Sequence, residues 1–436
     1  MCCTLLRQCT SPRTVARRRL GTGAGRSERP TTFEAERSEP LTDRSIATLI
    51  RERHQEHAEL RREIHRNPEF GFKEFKTSRL VADRLKSWGL MVCEGIAETG
   101  VVATLTGGEP GPSIGLRADM DALRINEVPG RPHCSCVPGM MHACGHDGHT
   151  TMLLAAAQYL AGHREEVAGT VHFIFQPAEE GLGGAPTMMR EGLFERFPVE
   201  AVYGMHNMPG IPAGELHTRP GPLFAASDMW SVTFHGTGGH GGGGAHKGTD
   251  PTLVQAHFIT ALHSVVSRNV APDDMAVLSV GHIAAGAAES PSVIPSTATV
   301  VGTGRSYTPK VRDTIERRLR QLAEAQAVAF GCTAEVIYDR RFPPLVPAQA
   351  ETDRSIAAAA RVVGAAKVDG ASRALTYAED FAHMLEAKPG GFMLIGNGMP
   401  ADGFTHLHTD TYDFNDDVIP IGAGYWVELV RSYRVA

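Results

Sequence analysis

Between Met141 and Leu160 the chain reads MHACGHDGHTTMLLAAAQYL: three histidines, a cysteine and an aspartate in a glycine-interrupted turn that runs straight into an apolar stretch. Cys144 and His146 flank a single glycine, so both side chains can converge on one ion without a long loop folding around it. Thiolate and imidazole are soft and borderline donors suited to a transition metal. From His149 onward, Met152, Leu153, Ala156, Tyr159 and Leu160 recur at three- and four-residue intervals, which predicts a buried helix anchoring the turn.

Other chemistry-bearing residues fall at the ends of strand-like segments. PSIGLRADMD runs apolar until Asp119 and Asp121, GTVHFIFQ alternates Val171, Phe173 and Phe175 before delivering Glu179 and Glu180, and AVYGMH ends on His206. Active-site groups gather at the carboxyl ends of strands in open α/β sheets, so these ends are expected to share one rim. Adjacent carboxylates repel unless cations or separate orientations resolve them. One on a metal and the other facing an activated water would turn that conflict into catalysis. Strand alternation would point one of the two away from a site that holds the other, so a shared site requires a redirecting turn. Near the C-terminus, HLHTDTYDFNDD presents His406 and His408, donors able to complete a site begun far earlier in the chain.

The elements that must position these residues read as α/β. Helices are expected over residues 41–67 and 73–88, paired strands over 89–107, a helix over 149–162, and after Pro347 helices over 355–363, 379–385 and 418–430 with a strand from Gly391. Between 228 and 339 the order is strand, helix (251–267), two strands (275–282 and 298–306), helix (309–330) and strand (333–338), a β-α-β-β-α-β ferredoxin-like pattern. The expected architecture therefore has two domains. A catalytic α/β domain with a mixed sheet, residues 41–226 and 340–436, is interrupted by an inserted α+β lid or dimerisation domain, residues 227–339. Within the insert, GTGGHGGGGAHKGTDP is either a flexible hairpin or an arm that carries His240 into a neighbouring active site.

The totals agree with a globular protein of about two domains. Among 436 residues, 42% are hydrophobic and 21% charged, and the net charge of −6 gives no pull toward nucleic acid or an anionic membrane. No apolar run approaches the roughly 20 residues needed to span a bilayer. Eight cysteines, with Cys2, Cys3 and Cys9 in the leader, form no regular framework of the secreted kind, which suggests a reducing compartment and a cytoplasmic location. The first 27 residues hold six arginines and no acid. Residues 1–40 are thus either an organellar transit segment or a start-site extension, and are set outside the fold.

Taken in order, RADMDALRINE, MHACGHDGHTTMLLAAA, FIFQPAEEGLGGA, YGMHNMP, the GGH segment, VIPSTATVVGTGRS and LHTDTYDFND resemble the M20 metallopeptidases. The likeness is strongest to the amidohydrolase branch with hippurate hydrolases, N-acyl-amino-acid amidohydrolases and auxin-conjugate hydrolases, and it spans residues 43–436. It implies a hydrolase of N-acyl amino acids with two divalent ions, Zn²⁺ or Mn²⁺, held by Cys144, His146, Glu180, His206 and His408. Glu179 matches the general base, and His240 matches a lid histidine that helps bind the oxyanion, in related dimers often from the other subunit. A homodimer through the lid is expected. Arg305 is either a clamp for the substrate carboxylate or part of a structural ion pair. The chain departs from the family on the substrate side: Ser292 stands where Asn usually precedes Val-Ile-Pro, Ala245 and His246 stand, displaced by one, for the usual Pro and second lid histidine, and Gly304 precedes Arg305 where Val is common. Asp119 and Asp147 are expected to orient metal-bound histidines, His142 and His149 to be satisfied by backbone groups, and Cys134 and Cys136 to be free thiols. The rival readings are a dipeptidase or aminopeptidase and a catalytically silent binding protein. No G-x-S-x-G elbow supports a serine hydrolase.

Overall fold

Periodicity along the chain becomes layering in space, as a computed structural model describing residues 46–400 and 407–434 shows; the leader and His406 lie outside these residues. In chain order come α1 (Ile46–Arg51), α2 (His54–Arg66), α3 (Phe75–Ser87), β1 (Met91–Ile96), β2 (Gly100–Thr106) and β3 (Glu109–Asp119). A long loop leads to α4 (His146–Gly162), β4 (Ala168–Gln176), α5 (Gly184–Arg190), α6 (Leu193–Arg196), β5 (Ala201–Pro209) and β6 (Leu216–His217). Then follow β7 (Ala226–His235), β8 (Gly239–His240), α7 (Pro251–Asn269), β9 (Ala276–Ala285), β10 (Val293–Ile294), β11 (Thr297–Ser306), α8 (Pro309–Ala329) and β12 (Thr333–Phe342). The chain closes with α9 (Gln349–Val363), β13 (Val368–Asp369), α10 (Ala382–Ala387), β14 (Gly390–Gly398) and α11 (Ile419–Arg431).

Eight strands form a mixed sheet in the order β1-β2-β4-β3-β5-β14-β6-β13. Its centre, β4-β3-β5-β14, is parallel and buried on both faces, which is why these strands read as continuous apolar runs. Successive residues feed opposite cores: Phe173, Phe175, Met393 and Ile395 pack with Met152 and Trp426 under α4 and α11, while Ile174, Phe392 and Leu394 pack with Met188 and Phe381 near α5 and α10. The N-terminal amphipathic stretch divides into α1 and α2 because its two pieces dock on different partners, α1 on α11 and α2 on α4.

Register then aligns the functional residues. Asp119 pairs with Gln176 across β3 and β4, and Arg117 pairs with Gly204 across β3 and β5. Asp119 therefore stands level with His206, and the ends of three parallel strands meet at one rim.

Residues 226–342 build a second sheet, antiparallel throughout, in the order β12-β7-β11-β9. This places the strands of the β-α-β-β-α-β unit in the spatial order fourth, first, third, second. Trp230, Val232 and Phe234 turn toward α7 and α8 and form a separate core with Phe258, Leu262, Ile315 and Leu319. Both helices start where the chemistry dictates: Asp250 accepts the Thr252 N–H (2.8 Å) and Thr308 the Val311 N–H (3.3 Å), each with proline in the first turn. Ser227, Met229 and Arg305, alternating with the core residues, face the other way.

Candidate metal centre

The turn before α4 depends on a residue without a side chain. Gly145 has φ +98°, and a Cβ there would lie 2.2 Å from Asn207 Nδ2 and 2.5 Å from Tyr412 Oη. Asn207 Nδ2 donates to Cys144 O (2.6 Å), and Tyr412 Oη donates to Asn207 Oδ1 (2.8 Å), so the backbone between the two donors is clamped. Cys144 Sγ lies 3.3 Å from His206 Nε2 and 3.3 Å from His408 Nε2. His408 is brought in from the C-terminal part of the chain: its N–H donates to Ala143 O (2.8 Å), and the long loop before α4 grips its segment through Val128 N–H to Asp410 O (3.0 Å) and Arg131 Nη1 to Tyr412 O (2.7 Å).

The Glu179-Glu180 pair is presented by the redirecting turn that its role requires. Ala178, just past β4, has φ +55°, a left-handed conformation costly for a residue with a Cβ. Three successive amides are then held by two buried carboxylates. Glu74 Oε1, from the start of α3, accepts the Ala178 N–H (2.8 Å), and Asp121 accepts Glu179 N–H (3.0 Å) and Glu180 N–H (2.9 Å). Glu180 Oε1 is 3.1 Å from His408 Nε2 and 3.9 Å from His146 Nε2. Three overlapping groups result, each with its donor atoms within 4.8 Å of one another: Cys144, His146 and His206; Cys144, Glu180 and His408; and His146, Glu179 and Glu180. The structure thus brings together all five sequence-predicted donors and the predicted base.

Hydrogen bonds set the ring orientations. His146 Nδ1 faces the Asp121 carbonyl (2.9 Å) and carboxylate (3.2 Å), which turns Nε2 toward the centre. His206 Nδ1 is tied to Asn207 O (2.5 Å), leaving Nε2 for Cys144. His149 is spent, with Nδ1 on Asp119 (2.7 Å) and Nε2 accepting the Asn207 N–H (2.9 Å). Asp119 therefore orients a histidine outside the donor set, and Asp121 takes the orienting role for His146. Asp147 also departs from expectation: it turns away to His65 Nδ1 (2.8 Å) and Arg61 (3.4 Å). His142 is buried with no hydrogen-bond partner on either ring nitrogen among the described residues, contrary to the backbone partners expected for it. Cys134 and Cys136 are free thiols outside the cluster, as expected.

Beneath Glu179 lies a buried ionic knot that spacing alone did not reveal. Arg117, fully buried, donates to Gln176 (2.8 Å), Asp119 (2.8 Å) and Asp380 (3.2 Å) and lies 2.9 Å from Glu379. The Asp380 N–H reaches Glu179 Oε1 (3.3 Å). The signal was the EDF triplet at 379–381, but its meaning depends on contacts with β3 and β4.

Electrostatics test whether cations suit this donor set. Burial pushes the Cys144 thiol well above its usual range, and Glu180 and Glu179 add to the effect. Burial, then Glu379 and Glu180, raises Glu179 well above the ordinary carboxylate range. Burial opposes charge on His146, yet Asp119, Asp121 and Glu180 outweigh it and push the ring up to about 10. Such a site draws positive charge inward, the reverse of what an apolar core does. His146 Nε2 is moreover buried without a hydrogen-bond partner among the described residues, although it faces the cluster. Divalent ions fit these residues: the unpartnered nitrogen and the concentrated negative charge both call for them.

The cluster opens into a cavity of about 500 Å³ that also presents Arg305, Arg341, Met208, Phe224 and Tyr377. Arg305 therefore lines the same cavity as Cys144, Glu180, His206 and His408. His240 and Ser292 line a different groove with Thr237 and Pro295, apart from the five donors. His240 Nδ1 accepts the N–H groups of Gly242 (3.0 Å) and Gly243 (3.1 Å), which fixes its proton on Nε2.

Comparison with known proteins supports the same conclusion. The chain is 38% identical over 378 residues to a hippurate hydrolase of Campylobacter jejuni, covering 87% of this chain and 96% of that protein. It is 37% identical to an N-acetyl-L-cysteine deacetylase of Bacillus subtilis (84% and 85% covered) and 36% identical to the IAA-amino acid hydrolase ILR1-like 2 of Arabidopsis thaliana (86% and 84% covered). A solved structure of a dinuclear metal binding peptidase of the M20 family from Bacillus subtilis superposes with a TM-score of 0.76 at 31% identity, covering 87% of this chain and 98% of that one. The model of Peptidase family M20/M25/M40 matches residues 115–432, and with the donor geometry above it shows that this chain belongs to that family and is a metal-dependent hydrolase.

Proposed function

We propose that this chain hydrolyses the amide bond of N-acyl amino acids, releasing a carboxylic acid and an amino acid. Cys144, His146, Glu180, His206 and His408 would hold two divalent cations. The observation that carries the reading is the convergence of these donors with Glu179 in a cavity that also offers Arg305. When bound, the cations would polarise the scissile carbonyl and lower the pKa of the attacking water. Glu179 takes the proton of that water and returns it to the leaving nitrogen. The Asp380 N–H and the clamped turn keep its carboxylate on station, and Arg305 binds the substrate carboxylate. One thiolate and three imidazoles favour Zn²⁺, while the carboxylate admits Mn²⁺.

A dipeptidase or aminopeptidase needs an uncommitted carboxylate for the free amine. Glu379 is the remaining acid of the cavity, and Arg117 at 2.9 Å engages it. Assays of hippurate and a dipeptide series side by side, before and after chelation, decide between the readings. Dipeptides cleaved in preference to N-acyl amino acids would reverse this conclusion, and no turnover of either by the metal-loaded protein would favour a silent binding protein.

Residues 227–339 act as a lid and dimerisation module inserted between residues 41–226 and 340–436. The fixed Nε2–H of His240 supports delivery of an oxyanion donor to the second copy of a homodimer. Mixing inactive His240→Ala and Glu179→Gln proteins should then restore activity in hybrid dimers; no recovery would sink the shared site. The five cysteines among the described residues are free thiols, which accords with a cytoplasmic location. No helix among the described residues is long and apolar enough to cross a membrane.

A further inference from the structure

Two guanidinium groups share the cavity with the donor cluster, and the reading above uses one of them. Arg305 on β11 is oriented by bonds from Nη1 to Thr303 Oγ1 and to Gly304 O (2.9 Å), and it pairs with no carboxylate among the described residues. Arg341 arrives by a different device. Strand β12 pairs with β7 as far as Arg340 opposite Asp228, then resumes with Phe342 opposite Ser227, so Arg341 is the extra residue of a β-bulge. Ser227 also faces Arg305 across β11. Phe342, Ser227 and Arg305 therefore form one cross-strand row on one face of the sheet, and the bulge re-aims Arg341 beside that row into the same cavity.

The charge on Arg341 is only lightly committed. Its Nε holds Asp339 at 2.9 Å, but the side chains are 45% and 54% exposed, the setting in which an ion pair contributes little. Its terminal nitrogens make no hydrogen bond among the described residues. The acids of the cavity are already occupied: Glu180 and Glu179 belong to the centre and Glu379 to Arg117. What remains is an excess of two planar cations, each able to grip a carboxylate with both nitrogens of its fork.

We propose that Arg305 and Arg341 form a paired subsite that selects N-acyl derivatives of acidic amino acids, glutamate and aspartate, with Arg305 on the α-carboxylate and Arg341 on the side-chain carboxylate. The assignment rests on the hydrolase reading above. The test compares N-benzoyl-L-glutamate with N-benzoyl-L-glutamine, close in shape and different in charge. In the metal-loaded enzyme kcat/KM should favour the glutamate conjugate by roughly tenfold or more, and Arg341→Gln should bring the ratio toward one, while Arg341→Lys keeps part of it. Calorimetry on metal-loaded Glu179→Gln reads the same ratio in Kd without turnover. Hydrolysis of both conjugates without preference, or a parallel loss on both in Arg341→Gln, overturns the subsite and leaves the hydrolase intact. A calorimetric preference that depends on Arg341, with neither conjugate hydrolysed by the wild type, upholds the subsite and overturns the hydrolase. Failure of Glu179→Gln to bind the glutamate conjugate more tightly than the glutamine conjugate also overturns the subsite.

Discussion

Glu74 lies 104 residues before the turn it controls and makes no contact with the donor cluster itself, so its removal isolates positioning from chemistry. Its carboxylate accepts the Ala178 N–H (2.8 Å) and the Thr99 hydroxyl (2.5 Å), and burial raises its pKa to about 7. In Glu74→Ala the buried Ala178 N–H loses its acceptor, at a cost of about 1–3 kcal/mol. The left-handed conformation of Ala178, itself costing about 1–2 kcal/mol, loses its main restraint. Asp121 still holds the Glu179 and Glu180 amides, so the turn should loosen rather than collapse. A displacement of the base by a fraction of an ångström to 1 Å predicts a kcat lower by about 10- to 100-fold, with KM little changed and both metals retained. Glu74→Gln keeps the acceptor and offers Thr99 a donor, so it should recover most of the rate. The assay is steady-state kinetics on metal-loaded protein, with metal content and Tm measured in parallel. A wild-type kcat in Glu74→Ala, or an equal loss in Glu74→Gln, would refute the positioning argument; metal lost in step with activity would show a structural role instead.

Gly145→Ala should cost metal affinity before it costs secondary structure, because its Cβ would meet Asn207 Nδ2 at 2.2 Å and force Cys144 and His146 apart; circular dichroism and metal content on one preparation check the order of loss. Chelation should abolish turnover and lower Tm, and re-addition of Zn²⁺ or Mn²⁺ should restore both, since ligand at about 100 times its Kd adds about 2.7 kcal/mol to the folded state; activity that survives complete metal removal contradicts the centre. Burial lowers the pKa of His65, but its bonds to Asp147 and Glu127 outweigh that and push it up to about 9. Its folded pKa lies above the unfolded value of about 6.5, so its stabilisation is complete below that pH and is lost as pH rises through about 9, a loss of about 3 kcal/mol. The Tm of the wild type should therefore fall more steeply than that of His65→Gln between pH 6.5 and 9.5, and equal slopes would assign the titration elsewhere.

The convergence of the five proposed donors and the proposed base was legible in the sequence at motifs and strand ends: Cys144 and His146 around one glycine, Glu179 and Glu180 after GTVHFIFQ, His206 closing AVYGMH, His408 in LHTDTYDFND. The antiparallel insert was equally plain, since its alternation and its Asp250-Pro251 and Thr308-Pro309 helix starts are local signals. What sequence could not supply was the set of residues that act through others. Glu74 in GFKEF and Asn207 gain their roles from hydrogen bonds spanning 104 and 63 residues, with no periodicity to mark them, and Asp121, though marked by its strand end, gains its role from bonds spanning 58 and 59. Asp147 departs from its expected orienting role for the same reason: helical geometry carries its side chain to the far side, onto His65 and Arg61. Nor does a β-bulge show in a run such as DRRFPP; only pairing with Ser227 reveals that Arg341 is the inserted residue.

The contact between Cys144 and His408 joins positions 264 residues apart. On the ribosome the thiol emerges long before its last imidazole, and the whole antiparallel insert must be synthesised in between. Chains released early would carry an exposed, half-built cradle with a reactive sulfur and no working catalyst. Activity is thus withheld until the segment carrying His408 has been made and has docked beside Ala143 and Cys144.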